Sequence, residues 1–261
     1  MGESMVIISI MAKSGTGKST LINDLCKNDS MYHNVKSYTT RNVRDNDEND
    51  INTHVFVDKE YWEENKLKSW ATYIDEKNNY VSWTDEKSFN PYKVNLYAID
   101  SKAFREISKR NSDTFGIYLE LDEEERENRL NKRGSEYKEE NHLSSDYIFS
   151  CQNKVVININ NKTVEQVTEL VDMVIKVFLA SKGYTRVNGI LCKKCNRILI
   201  TRNRHDFNRC DKCKDTFIDG GFDYVRVGAK DFENDIEHYP IIVKENIYNI
   251  LTEKIENQIQ L

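Results

Sequence analysis

Two groups of residues in this chain are of types, and at spacings, that do chemistry. The first is MAKSGTGKST, residues 11–20. It follows the pattern G-x-x-x-x-G-K-[ST], except that Ala12 stands at the first glycine. Such a stretch cradles polyphosphate. Gly15 and Gly17 let the backbone of Ser14–Gly17 wrap closely, so that several N–H groups and the positive end of a helix converge on an anion. Lys18 would reach the β- and γ-phosphates, the Ser19 hydroxyl would hold Mg²⁺, and Thr16 and Thr20 complete the loop and the helix start. The second group is Cys192-x-x-Cys195, fourteen residues, then Cys210-x-x-Cys213. Two such knuckles bring four thiolates to one tetrahedral Zn²⁺. The segment around them has too little apolar content to fold unaided, so the metal would supply folding energy.

The phosphate loop needs a strand before it and a helix after it. MVIISIMA (5–12) is a short apolar run that reads as a buried strand, and KSTLINDLC (18–26) reads as a helix with Leu21, Ile22 and Leu25 on one face. Further strands are predicted in VKSYTTRNVR (35–44), at both ends of HVFVDKEYWEENKLKSWATYI (54–74), in YKVNLYAID (92–100), TFGIYLELD (114–122) and KVVINI (154–159). EEERENRLNKRG (123–134) reads as a charged helix. KTVEQVTELVDMVIKVFLA (162–180) reads as a helix whose apolar stripe is Val164, Val167, Leu170, Val171, Val174, Val177 and Phe178, opened by a Thr163–Gln166 capping box. Strands alternating with helices predict an α/β fold, a mostly parallel sheet flanked by helices. The expected organisation is a nucleotide-binding domain over 1–181, a zinc ribbon over 186–230 and a helical tail over 231–261, with a helix in KENIYNILTEKIENQI (244–259). DNDENDINTHVF (45–56) alternates acids like a calcium loop, but Asp50 and Phe56 stand where such a loop needs glycine and glutamate. It reads instead as a solvated acidic loop.

The formal net charge of −5 over 261 residues argues against the whole chain being a nucleic-acid binder. Between Lys182 and Lys230, however, twelve Lys/Arg face five Asp, about +7, which leaves about −12 elsewhere. That asymmetry implies two units with different partners. Phe207, Phe217, Phe222 and Tyr224 lie among the basic residues, a mixture that permits contact with nucleic acid or with an acidic protein surface. His205 is a weaker competitor for the metal. Six cysteines without a secretory signal favour metal over disulfides and a cytoplasmic setting. No apolar run approaches the roughly 18 residues of a membrane span, so no membrane partner is expected.

SYTTRNVR (37–44), the acidic loop, HVFV (54–57), WATY (70–73), NNYVS (78–82), RLNKRG (129–134) and KVVINI follow one another over about residues 5–180. Together they resemble the guanylate kinase family of P-loop nucleoside monophosphate kinases. The resemblance implies ATP and Mg²⁺ on the phosphate loop, with Asn158 touching the ATP base. It implies a nucleoside monophosphate opposite, its phosphate gripped by Arg41 and Arg44 with hydroxyls from Ser37 and Tyr80. His54, Ser69 and Ser82 would line the same site, and Asp100 would hold Mg²⁺ through water. Lys18, Arg41, Arg129 and Arg133 would act on the transferring phosphoryl group. The family's two base-reading carboxylates fall on Ser69 and Ala98. The tyrosine of its Y-x-F-V is His54, and the glycine after its NNY tyrosine is Val81. Between Gly134 and Lys154 only His142 occurs where the family has another arginine. The phosphate machinery is therefore better kept than the guanine reader: guanine is the family default, and a different or modified base is its competitor. HDF…C-x-x-C…DGGFDYVR resembles a small zinc-ribbon module of bacteriophage proteins, which would make the compartment a host cytoplasm. Two functions follow. One is an ATP-dependent kinase converting a (deoxy)nucleoside monophosphate to its diphosphate. The other is a catalytically weak binding module that recruits a partner through its ribbon.

Overall fold

The computed structural model describes residues 5–43, 48–76, 78–132, 153–201, 204–221, 224–244 and 258–260. They fall into two compact units, Met1–Asn28 with Tyr32–Ile175, and Asp29–Met31 with Lys176–Leu261.

In chain order the first unit contains β1 (Ile7–Met11), α1 (Lys18–Asn28), β2 (Tyr32–Asn34), β3 (Ser37–Thr39), α2 (Glu48–Thr53), β4 (His54–Phe56), α3 (Lys59–Asn65), β5 (Ala71–Asp75), β6 (Tyr80–Thr84), β7 (Val94–Ala98), α4 (Ser101–Arg110), β8 (Thr114–Glu120), α5 (Glu123–Lys132), β9 (Lys154–Asn158) and most of α6 (Val164–Ser181). Its central sheet has the order β2-β7-β1-β8-β9, and every neighbouring pair is parallel. All five residues of β1 are buried, as expected for an interior strand covered on both faces. β1 lies between strands reached by connections that leave in opposite directions, and the crevice at the carboxyl end of such a strand is where α/β sheets place ligands. The phosphate loop occupies that position. Helix α1 buries Leu21, Ile22 and Leu25, the face its spacing predicts, and the expected α/β class is met.

A second sheet, β4-β3-β6-β5, is mixed. Its two faces differ in chemistry. Tyr38 stacks on Trp83 at 5.4 Å, and Tyr61 and Trp62 of α3 join them. The opposite face carries hydroxyls. Ser82 Oγ donates to Thr39 Oγ1 at 2.8 Å, while Ser37 and Thr84 donate to the Tyr97 hydroxyl of β7 at 3.3 and 3.1 Å. Tyr97 is buried, so it links the second sheet to the central one.

The second unit contains β10 (Tyr184–Cys192), β11 (Arg197–Thr201), β12 (Asn208–Arg209), β13 (Phe217–Gly220), β14 (Val225–Gly228), α7 (Phe232–Asp235), β15 (Ile236–His238), β16 (Ile241–Lys244) and β17 (Gln258–Gln260). β15, β10, β11 and β17 form one antiparallel sheet, β16 extends β10 at its other end, and β12-β13-β14 form another. The cysteines sit inside its core, where Cys192 and Cys210 pack with Ile190, Leu199, Ile218 and Ile236.

Several sequence expectations are corrected. The acidic stretch 45–56 is not all loop, since Glu48–Thr53 forms α2; His54–Phe56 forms β4, the strand expected at the start of 54–74. The capping box of α6 forms in both directions between Thr163 and Gln166. Its buried stripe, however, is Val167, Thr168, Val171, Ile175, Phe178 and Leu179, with Val164 and Val177 exposed. The stripe is rotated because the helix side facing its neighbours, not the richest valine count, decides burial. In the tail, the described residues are mostly strand: Lys244 ends β16, and Gln258 and Ile259 lie in β17. The rest of the expected helix, 245–257, lies outside the described residues. Among the described residues no helix is long and apolar enough to cross a membrane.

Candidate functional site

The loop between β1 and α1 has the backbone its glycines predict, with Gly15 at φ 83° and Gly17 at φ 107°. Both values lie in the region that residues with a Cβ rarely adopt. A Cβ at Gly15 would also meet Leu130 of α5 at 2.8 Å. Gly15→Ala is therefore expected to cost roughly 1–3 kcal/mol and to weaken nucleotide binding at least tenfold. Thermal melting and ATP titration check this, and an alanine variant binding ATP like the parent would contradict it. Lys18 folds back over the loop, its Nζ donating to the carbonyls of Ala12 at 2.7 Å and Lys13 at 3.2 Å. Ala12 is buried at the strand end, so its methyl group is absorbed by the core. Thr16 is buried and Ser14 and Thr20 are exposed, while Ser19 in the first turn of α1 is partly covered.

Helix α5 holds this loop from one side. Arg129 Nη1 donates to the Thr16 carbonyl at 3.2 Å while its Nε pairs with Glu125 at 2.9 Å. Arg126, which sequence reasoning overlooked, donates from Nη1 to the Ser14 carbonyl at 3.2 Å. Lys13 pairs with Glu123 at the start of the same helix. A cleft of about 170 Å³ beside the loop is lined by Lys13, Thr16, Glu123 and the end of β8. Asp100 Oδ1 accepts from the Ala103 N–H at 2.8 Å and caps α4. The register Ile10↔Ala98 puts the end of β7, two residues before Asp100, beside the end of β1.

At the end of the second sheet, Arg41, His54, Phe56 and Tyr80 come together. Arg41 Nη2 lies 3.4 Å from His54 Nδ1, and because a guanidinium only donates, Nδ1 accepts. The Arg41 guanidinium also lies over the Phe56 ring at 5.2 Å. Burial, then the neighbouring Tyr73 and Asp75, push the Tyr80 phenol up to about 12 against the pull of Arg41, so Tyr80 stays a neutral donor. Ser82 supports Thr39 in the same sheet, and Ser37 is tied to Tyr97. Ser69 stands apart, at the opposite end of the β5–β6 hairpin from Tyr80, with its hydroxyl bonded to Ala71 O and Thr72 Oγ1. Asn158 ends β9, where its Oδ1 accepts from the Asn160 N–H at 2.9 Å and shapes a turn. Arg44, Arg133, His142 and Phe222 lie outside the described residues.

About two thirds of the chain resembles known proteins. It is 26% identical over 177 residues to a guanylate kinase of Prochlorococcus marinus strain MIT 9312, covering 64% of this chain and 94% of that protein. It is also 26% identical over 179 residues to the guanylate kinase of P. marinus subsp. pastoris strain CCMP1986, covering 65% and 96%. At this low identity the chain is similar to guanylate kinases. Among solved structures, guanylate kinase from Anaplasma phagocytophilum aligns with a TM-score of 0.46 at 17% identity, over 68% of this chain and 87% of that one.

Residues 186–229 match the family model of a domain of unknown function, DUF7695. This is the cysteine region. The Sγ atoms of Cys192, Cys195, Cys210 and Cys213 all lie within 4.8 Å of one another. Cys192 and Cys213 are 3.7 Å apart, whereas four sulfurs at about 2.3 Å from one tetrahedral zinc stand about 3.8 Å apart. Each pair is closed by a left-handed residue, Asn196 at φ 52° and Lys214 at φ 59°, and each turn is tied by an N–H, Cys195 to Cys192 O and Lys214 to Cys210 O. Burial and neighbouring thiols raise Cys195 to about 12. At Cys213 burial is outweighed by the N–H groups of Asp215 and Thr216, giving about 6. The donor set and its spacing fit a structural zinc. His205 is engaged elsewhere, with its Nδ1 3.0 Å from the Tyr224 hydroxyl.

Proposed function

We propose that the first unit is an ATP-dependent nucleoside monophosphate kinase, transferring the γ-phosphoryl of ATP to a (deoxy)nucleoside monophosphate, and that the second unit carries a structural zinc. The observation that carries this reading is the glycine loop at the carboxyl end of β1. It joins positive-φ glycines, a following helix and a lysine held at the loop's own carbonyls. The guanylate kinase homology supports the reaction class.

In this reading the loop from Ser14 to Thr20 would bind the polyphosphate, and Ser19 would hold Mg²⁺, which would supply positive charge to offset that of the phosphates. Arg41 and Arg44 take the acceptor's phosphate, with Tyr80 donating from a phenol that never ionises near neutral pH. Arg129 leaves Thr16 or reaches past it, and with Arg133 neutralises the equatorial oxygens in flight. Catalysis is then positioning plus charge neutralisation. Guanine is the family default, but Ser69 and Ala98 stand where the family's base-reading carboxylates would be, so the base is decided by experiment. A coupled ADP-release assay across ribo- and deoxyribonucleoside monophosphates tests the proposal. Turnover with one base or a few is expected; tight binding of both nucleotides with no turnover would favour a recruiting module instead. Arg41→Ala is expected to raise the acceptor's KM roughly tenfold or more, because charge-assisted contacts to a phosphate dianion are lost, with little change in the KM for ATP. Equal rises in both constants would contradict that placement.

A further inference from the structure

Helix α5 meets the phosphate loop with three side chains on one face, Arg126, Arg129 and Leu130, at the i, i+3, i+4 spacing of helix neighbours. Arg126 is only 1% exposed. Its Nε and Nη2 each lie 2.7 Å from Glu123 Oε2, and its Nη1 reaches Ser14 O. A buried guanidinium is costly unless its donors are engaged, and here they are engaged by one carboxylate and one carbonyl of the loop. The peptide unit is planar and trans, so a carbonyl and the N–H that follows it point in opposite directions. With Ser14 O drawn toward Arg126, the Gly15 N–H is turned away from α5. With Thr16 O drawn toward Arg129, the Gly17 N–H is turned the same way. Leu130 packs where a Gly15 Cβ would stand, which keeps the helix close enough for both bonds.

We infer that Arg126 is a positioning residue for the phosphate tail: it fixes the Ser14–Gly15 peptide so that the Gly15 N–H faces the anion, without touching the nucleotide itself. Arg129 is exposed enough to let go of Thr16 during transfer, whereas Arg126 is enclosed and holds its carbonyl throughout. The inference rests on the reading of residues 14–20 as the ATP site.

The test uses the full chain as wild type, Arg126→Leu, Arg126→Lys and Lys18→Ala, with MgATP and the best monophosphate of the panel titrated separately. Arg126→Leu is expected to weaken MgATP roughly tenfold, the effect of losing one charge-assisted bond, with monophosphate affinity within about twofold of wild type. Arg126→Lys, which keeps a cation and a donor, recovers part of the loss. Unchanged MgATP affinity in the leucine variant overturns the inference, and so does a parallel loss for both ligands, which means a purely structural role. Should the leucine variant not fold, the lysine variant decides: a selective MgATP loss supports positioning, and unchanged affinity overturns it. If wild type itself fails to bind MgATP, the ATP-site reading falls first and this inference with it.

Discussion

Exchanging Lys18 for alanine is expected to reduce ATP-dependent turnover by at least 10²–10³-fold, on the order seen when one preorganised charge-stabilising donor is removed, while the first unit still folds. The side chain rests on the Ala12 and Lys13 carbonyls at the rim of the loop. Its ammonium therefore already stands where the polyphosphate charge would gather, and exchanging two neutral carbonyls for phosphate oxygens strengthens each bond. Removing it leaves the N–H cradle in place, so some ATP affinity survives and kcat falls further than KM rises. The fold depends on it little, because Lys18 is only partly covered and water can take over its carbonyl partners. Arginine is not expected to rescue it, since a planar fork does not replace a compact point charge inside a tight loop. Steady-state kinetics and a melting curve on the same preparation separate the two effects. Turnover equal to wild type would remove the loop from the chemistry.

Removing the metal is expected to have the largest effect on stability, confined to the second unit. That unit's core is assembled on its own cysteines: Cys192 and Cys210 are buried among Ile190, Leu199, Ile218 and Ile236. Four thiols within 4.8 Å cannot all ionise without a cation to offset them. A structural zinc site contributes about 10–16 kcal/mol of binding free energy near neutral pH, comparable with or larger than the roughly 5–15 kcal/mol that holds a whole domain together. A strong chelator, or Cys192→Ser with Cys210→Ser, should therefore abolish amide protection in residues 184–244 and leave the parallel sheet protected. Metal analysis should find one zinc per chain before and none after. A second unit that stays protected without metal would contradict the assignment.

The parts of this molecule that could be read beforehand are those whose signal is local. The phosphate loop, α1 and the cysteine knuckles each occupy a short stretch in which residue type dictates backbone shape. α6 was recognisable by period, yet its buried face came out rotated, because Ile175 and Leu179 are chosen by what they pack on and not by the stripe itself. α2 carries almost no apolar period, so nothing in the acidic stretch announced a helix. The contacts that assemble the candidate site are long-range. Ser37 finds Tyr97 sixty residues on, and Arg126 finds Ser14 across 112. A charged residue in EEERENRLNKR is assigned to solvent by every local rule. Only the approach of α5 to the loop makes Arg126 one of the most buried side chains among the described residues. Tyr97 was passed over for the same reason, as an apolar strand residue whose hydroxyl matters only once a second sheet arrives.

The central claim is that this chain moves a phosphoryl group between nucleotides, and the destination of the γ-phosphate tests it most directly. With γ-labelled ATP, Mg²⁺ and the panel of monophosphates, the account predicts label appearing in a nucleoside diphosphate, in proportion to ADP formed and lost with Lys18→Ala. Label that stays in ATP with every acceptor, or that appears only as inorganic phosphate, would contradict it.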